Sequence, residues 1–191
     1  MGRTLKKQRL KRIVPKTVLV FLCSYLVFLI LWIQVKDYYG YMITLIASEG
    51  MSLIEDVRFE GITTKENMTQ ATFSRLLRRR AEVLIDVPIE TSTYTFNVPL
   101  TFAIMAAFFP LIRRRWRAYA EALVILLGVH LLYVFSLEAN NLTTFSISKG
   151  LFVVSKTRLI IYQFIWQFTD NMVIRFIPFL IGFYLFIRFR E

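Results

Sequence analysis

Apolar residues gather into long runs separated by charged segments. Val18–Val35 passes eighteen residues without a charge, Val98–Ile112 and Ala118–Ser136 flank a basic cluster, and Val173–Ile187 ends at Arg188 and Arg190. Runs of this length read as membrane helices, with Val98–Ile112 on the short side for a hydrocarbon core of ~30 Å. Elsewhere the period changes. Val57-Arg58-Phe59-Glu60 alternates with period two, as do Val83, Ile85, Val87 and Ile89 against Asp86, Pro88 and Glu90; Tyr94 and Phe96 continue the pattern in a Thr/Ser stretch. These are strand signals, and Pro88 places its strand at an edge or gives it a bulge. Between them, Asn67–Glu82 sets Phe73, Leu76, Leu77 and Ala81 against Arg75, Arg78, Arg79 and Arg80, which predicts a short amphipathic helix. Tyr41–Ile54 is broken by Ser48, Glu49 and Gly50 and predicts either an interfacial helix or a continuation of the first helix.

Two stretches near the end differ in character. Leu137–Gly150 holds Asn140, Asn141, Thr143 and Thr144 and reads as a loop. In Leu151–Phe168 and just past it, Lys156, Gln163, Gln167 and Asp170 fall on one helical face, the pattern of a helix lying in the membrane plane. The predicted fold is therefore membrane α+β: four transmembrane helices (17–36, 98–112, 118–136 and 171–188), an extracytoplasmic α+β domain at 37–97, and an outer loop with interfacial helix at 137–170. A basic amino terminus (1–16), a hinge (113–117) and a short tail (189–191) complete it.

Composition excludes a soluble domain, since 56% of the 191 residues are hydrophobic and mean hydropathy is +0.53. The net charge of +11 matters through its placement. Residues 1–16, the hinge Arg113-Arg114-Arg115-Trp116-Arg117 and the final arginines hold thirteen cations, whereas 36–97 and 137–171 hold ten cations against eleven acids. Basic segments stay on the cytoplasmic side, so the expected location is a bacterial inner membrane, with both termini and the hinge inside and anionic lipid headgroups as partners. Cations that flank spans build no groove-reading element, so no nucleic acid is expected.

Chemistry-bearing residues are few. His130 lies alone in the third span. Glu121, nine residues earlier, is half a turn out of phase and about 13 Å away along the axis, so the two cannot meet in one helix. His130 then reads as a polar residue packed between helices and hydrogen-bonded to a neighbour. Glu121 follows Arg117 by four residues and reads as an interfacial pair, while Arg175 can snorkel to headgroups or join a pair in the bundle. Cys23 is the single cysteine. A membrane thiol protease or transpeptidase would need it beside His130 and an arginine, yet Cys23 falls in the inner half of one span and His130 in the outer half of another. No Walker loop, HExxH, GxSxG or paired span acids occur, and neither cofactor nor metal is implied.

Trp32 to Gly40, with its aromatic exit Asp37-Tyr38-Tyr39-Gly40, the Asn97-Val98-Pro99-Leu100 entry, the arginine hinge and the following His130 resemble the small membrane proteins encoded beside bacterial exosortases, notably the exosortase H-associated type. Exosortases resemble sortases in use: a membrane Cys, Arg and His cut and transfer proteins carrying a carboxy-terminal sorting signal. This chain lacks the surroundings of that Cys, so the resemblance implies a non-enzymatic accessory subunit with an exosortase-like polytopic partner, and no catalytic residue carries over. The alternatives are the thiol enzyme above or a small subunit of a transport or respiratory complex. Partner contacts are expected from a strand edge and from aromatic anchors: Ile85, Val87, Tyr94, Phe96, Phe164 and Trp166.

Neutralising Arg113, Arg114, Arg115 and Arg117 together is expected to give mixed insertion, read as partial labelling of a cysteine at position 116 by a membrane-impermeant thiol reagent in a Cys23→Ser background. Uniform protection would show that the amino-terminal charges set the topology alone.

Overall fold

The computed structural model describes residues 2–65, 68–76, 82–109, 115–150 and 155–188, with backbone only at 2–13, 65, 115 and 188. In chain order the elements are α1 (Gly2–Ile54), β1 (Arg58–Lys65), β2 (Met68–Leu76), β3 (Glu82–Glu90), α2 (Thr91–Thr95), α3 (Asn97–Phe108), α4 (Arg115–Ser148), α5 (Lys156–Phe168), a π-helical turn (Thr169–Val173) and α6 (Ile174–Arg188). Three helical runs are long and apolar enough to cross a membrane: Val14–Ile54, Trp116–Ser148 and Lys156–Ile187. The first, at 41 residues, is about 60 Å long, twice the hydrocarbon thickness.

The expected count of four spans rested on Val98–Ile112. The helix there, α3, has 12 residues and is about 18 Å long, and it is not among the three. Positions 110–114, including Arg113 and Arg114 of the hinge, lie outside the described residues. Of the two readings of Tyr41–Ile54, the helical continuation is the one present, because α1 runs unbroken through Ser48, Glu49 and Gly50. Pro15 lies inside this helix, which extends back to Gly2.

Two local readings need correction. The segment expected as an amphipathic helix is strand β2 over Met68–Leu76: Thr69, Ala71 and Phe73 point inward at period two, with Gln70 and Thr72 on the other side. Residues 77–81 of that expectation lie outside the described residues. The expected loop Leu137–Gly150 is instead the last part of α4 as far as Ser148. Glu138, Thr143 and Ser146 are buried along it, and hydroxyls turn back onto the helix. Ser146 Oγ donates to the Leu142 carbonyl at 2.7 Å, and Ser136 Oγ to that of Tyr133 at 2.9 Å. Tyr94, expected to extend a strand, sits in α2, where Thr95 Oγ1 donates to the Thr91 carbonyl at 2.8 Å.

The sheet is antiparallel in the order β1-β2-β3, so Pro88 does lie on an edge strand, opposite Gln70. The bulge is in β1, between Phe59 and Gly61, and Gly61 takes φ +151°, a conformation that a side chain would strain.

Backbone contacts divide the chain into two compact units. One comprises 1–34, 96–126 and 177–191; the other comprises 35–95 and 127–176. The first packs through small residues. Ala103, Ala107, Ala118 and Ala122 are buried, Gly182 leaves room for Ile104, and Tyr119 Oη donates to the Met105 carbonyl at 2.7 Å. The second has the larger core. Ile43, Ala47 and Met51, at successive turns of α1, meet Phe73, Ile85, Val87 and Ile89 of the sheet, with Tyr94, Tyr133, Val134, Leu142 and Ile174.

Gly40 fixes how closely α1 approaches α2 in that unit. A Cβ there would stand 2.3 Å from Thr91 Oγ1 and 2.9 Å from its Cβ, and no rotamer of Thr91 removes the second contact. Gly40→Ala is expected to cost about 1–3 kcal/mol, a drop of several degrees in Tm. Gly50→Ala, with nothing within 4 Å, should leave Tm unchanged or raise it. Equal effects of the two changes in a thermal melt would refute the close approach.

Candidate functional site: a buried histidine and carboxylate cluster

Helix α4 presents His130, Val134, Glu138 and Leu142 at four-residue spacing, all buried, so one face carries an imidazole and a carboxyl two turns apart in the core of the second unit. Tyr39 of α1 reaches His130, with its hydroxyl 2.6 Å from Nδ1. The ring is enclosed edge-on by Tyr39 (centroids 5.6 Å apart) and Tyr94 (5.5 Å). Tyr94 stacks on Tyr133 at 5.0 Å, and Tyr133 meets Trp166 of α5 edge-to-face at 5.1 Å. Burial pushes the Tyr94 phenol above its ordinary value, since a phenolate would lose its hydration there. Two turns from His130, Ser48 Oγ donates to Glu138 Oε1 at 2.5 Å.

A second polar group pins α5. Glu55, just past the end of α1, accepts from Arg158 and, at 2.7 Å, from the Tyr162 hydroxyl. Beside it opens a cleft of about 260 Å³ where Asp56, Arg58, Ser74, Arg75 and Glu82 converge, and Arg75 lies 4.0 Å from Asp56. Charges of both signs line it, so it has no preference for a single-sign ligand. Among the described residues no group of three His, Cys, Asp or Glu side chains is placed to hold a metal ion.

The residues singled out in sequence fall into different settings. His130 is fully buried and hydrogen-bonded. Glu121, in the first unit, accepts from the Tyr184 hydroxyl, and Arg175 is exposed on α6. Cys23 is exposed on α1. Arg115 opens α4, while Trp116 and Arg117 are exposed on its first turn. Of the residues proposed for partner contact, Ile85, Val87 and Tyr94 are core side chains, at 0–2% exposure. The strand turns Leu84, Asp86 and Pro88 outward instead. Phe96 and Phe164 are exposed, and Trp166 packs against the core. Sequence reasoning missed Glu138, Ser48, Tyr39 and Glu55 as site residues. The one signal for them was an acid and a serine in segments otherwise apolar enough to be buried.

Tyr39→Phe removes the hydroxyl paired with His130 and is expected to cost about 1–3 kcal/mol, lowering Tm by several degrees, whereas Tyr38→Phe, 71% exposed, should change nothing measurable. A thermal melt of the two variants in detergent checks the difference, and equal melting points would remove the pair from the fold's support.

Comparison with known proteins adds one match. The family of exosortase H-associated membrane proteins matches residues 7–189, nearly the whole chain. No curated protein and no solved structure matches. With three membrane-length apolar helices and this match, the chain belongs to the exosortase H-associated membrane proteins.

Proposed function

We propose that this chain is a non-enzymatic accessory or scaffold subunit of the bacterial inner membrane that partners an exosortase-type protein-processing system. The observation that carries the reading is the family match over residues 7–189. The charge placement supports multi-pass insertion with both termini and the arginine hinge in the cytoplasm, and residues 37–97 and 137–170 on the outer side. In that arrangement Val98–Ile112 supplies a fourth, short crossing, and α5 begins the last helical run at the outer side.

Chemistry in the buried cluster supports a structural role for its histidine. His130 has its Nδ1 engaged by Tyr39 and its ring flanked by the rings of Tyr39 and Tyr94, which holds the imidazole in place. The surface offered to a partner is the outward face of α5. Ile160, Ile161, Phe164 and Phe168 are exposed there, and the rings of Phe164 and Phe168 stack at 5.9 Å, a preformed aromatic anchor.

Affinity capture of the tagged chain with its chromosomally neighbouring exosortase-type protein, in mild detergent, tests this. The wild type and Cys23→Ser should recover the partner equally. The double change Phe164→Ser and Phe168→Ser should reduce recovery about tenfold with the Tm of the chain retained. Absence of the partner from the wild-type capture, or loss of function in Cys23→Ser at normal protein level, would sink the reading.

A further inference from the structure

Glu138 is used by nothing in that reading, and its surroundings are unusual for an acid. It is fully buried. Its Oε1 takes the Ser48 hydroxyl at 2.5 Å, and its Oε2 has no hydrogen-bond partner among the described residues. Among the described residues of the second unit, Lys36 pairs with Asp37, Arg58 with Glu60, Arg75 with Asp56 and Arg158 with Glu55, and none of these pairs includes Glu138. Facing Glu138 from α1 is Ser48, with Thr44 one turn away on the same side, and one turn to either side along α4 are Val134 and Leu142. None of these is charged.

We propose that Glu138 takes up a proton as the protein folds and is buried as a neutral carboxylic acid, which makes the packing of α4 on α1 in the second unit a proton-linked contact. An ionised carboxylate in this place would keep one hydroxyl donor in exchange for its whole hydration shell, which is among the costliest burials a protein can make. Protonation removes the charge and turns the unpartnered Oε2 from an acceptor lacking a donor into a donor. Asn140 Oδ1, two residues further along α4, is likewise a buried oxygen without a hydrogen-bond partner among the described residues. The inference is independent of the accessory reading and would stand if no partner were found.

The sign of the pH dependence follows from the proton count. An acid that is protonated when folded and ionised when unfolded binds a proton on folding. Raising the pH favours the state that has released the proton, so stability falls as pH rises. Mild acidity strengthens the α1–α4 contact and alkalinity loosens it.

Thermal unfolding of the full chain in detergent between pH 5 and pH 8, compared with Glu138→Gln, tests the linkage. Gln keeps the shape without the titration, and comparison of the two profiles cancels the contribution of every other group. The wild type is expected to lose about 5 °C or more relative to the variant across that range. Parallel profiles would overturn the proposal. Infrared spectroscopy of the wild type at pH 7 gives a second reading that does not need the variant to fold: a carbonyl band of a neutral carboxylic acid should be present, and its absence would also overturn the proposal.

Discussion

A peptide group in hydrocarbon has to find its hydrogen bond within its own segment, and most of this architecture follows from that constraint. Helix α1 runs 53 residues and α4 runs 34 without interruption. Hydroxyl side chains, which would compete for the backbone in water, are absorbed by it here: Thr95, Thr101, Ser136 and Ser146 each donate to a carbonyl three or four residues back. A chain under this constraint cannot open a loop wherever polar residues collect. It opens one only where the backbone can pair with something else. In the second unit that something is the three-stranded sheet, whose ladders satisfy the central strand on both sides.

How much of this the sequence reveals depends on the distance over which each decision is made. The apolar runs and the two outer strands are local patterns, and β1 and β3 appear close to where alternation puts them, at Arg58–Lys65 and Glu82–Glu90. Strand β2 is different. Phe73 and Leu76 are spaced for a helix and are followed by arginines, so local propensity points one way, while pairing on both sides by β1 and β3 decides the other. The polar end of α4 fails for the same reason. Glu138 finds Ser48 ninety positions away and His130 finds Tyr39 ninety-one positions away, and no window along the chain contains both partners. Burial of the candidate contact residues of β3 is hidden from the sequence by a subtler route. Alternation identifies two faces of a strand and does not say which face is covered; for β3 the apolar set, Ile85, Val87 and Ile89, is the covered one.

The buried aromatic and histidine cluster sits where two long helices must hold together with few apolar residues of their own. Along α1 the second unit is met through Gly40, Thr44 and Ser48 on one side and Ile43, Ala47 and Met51 on the next, so small and polar positions interleave with large ones. Small residues bring backbones close, and polar residues then specify one alignment, since a helix shifted by one turn would leave Ser48 and Tyr39 without Glu138 and His130. The cluster thus reads as a registration device for α1 and α4.

The sheet has a feature at each of its two free borders. Strand β1 carries the bulge at Phe59 and Gly61, and β3 carries Pro88, which has no N–H to offer, beside the outward Glu82, Asp86 and Glu90. Bulges, prolines and edge charges are the means by which sheets refuse further strands. The bulge on one edge strand and the proline and charges on the other disfavour the addition of a fourth. The side chains that the sheet turns outward can change one residue at a time while the paired backbone beneath them stays the same.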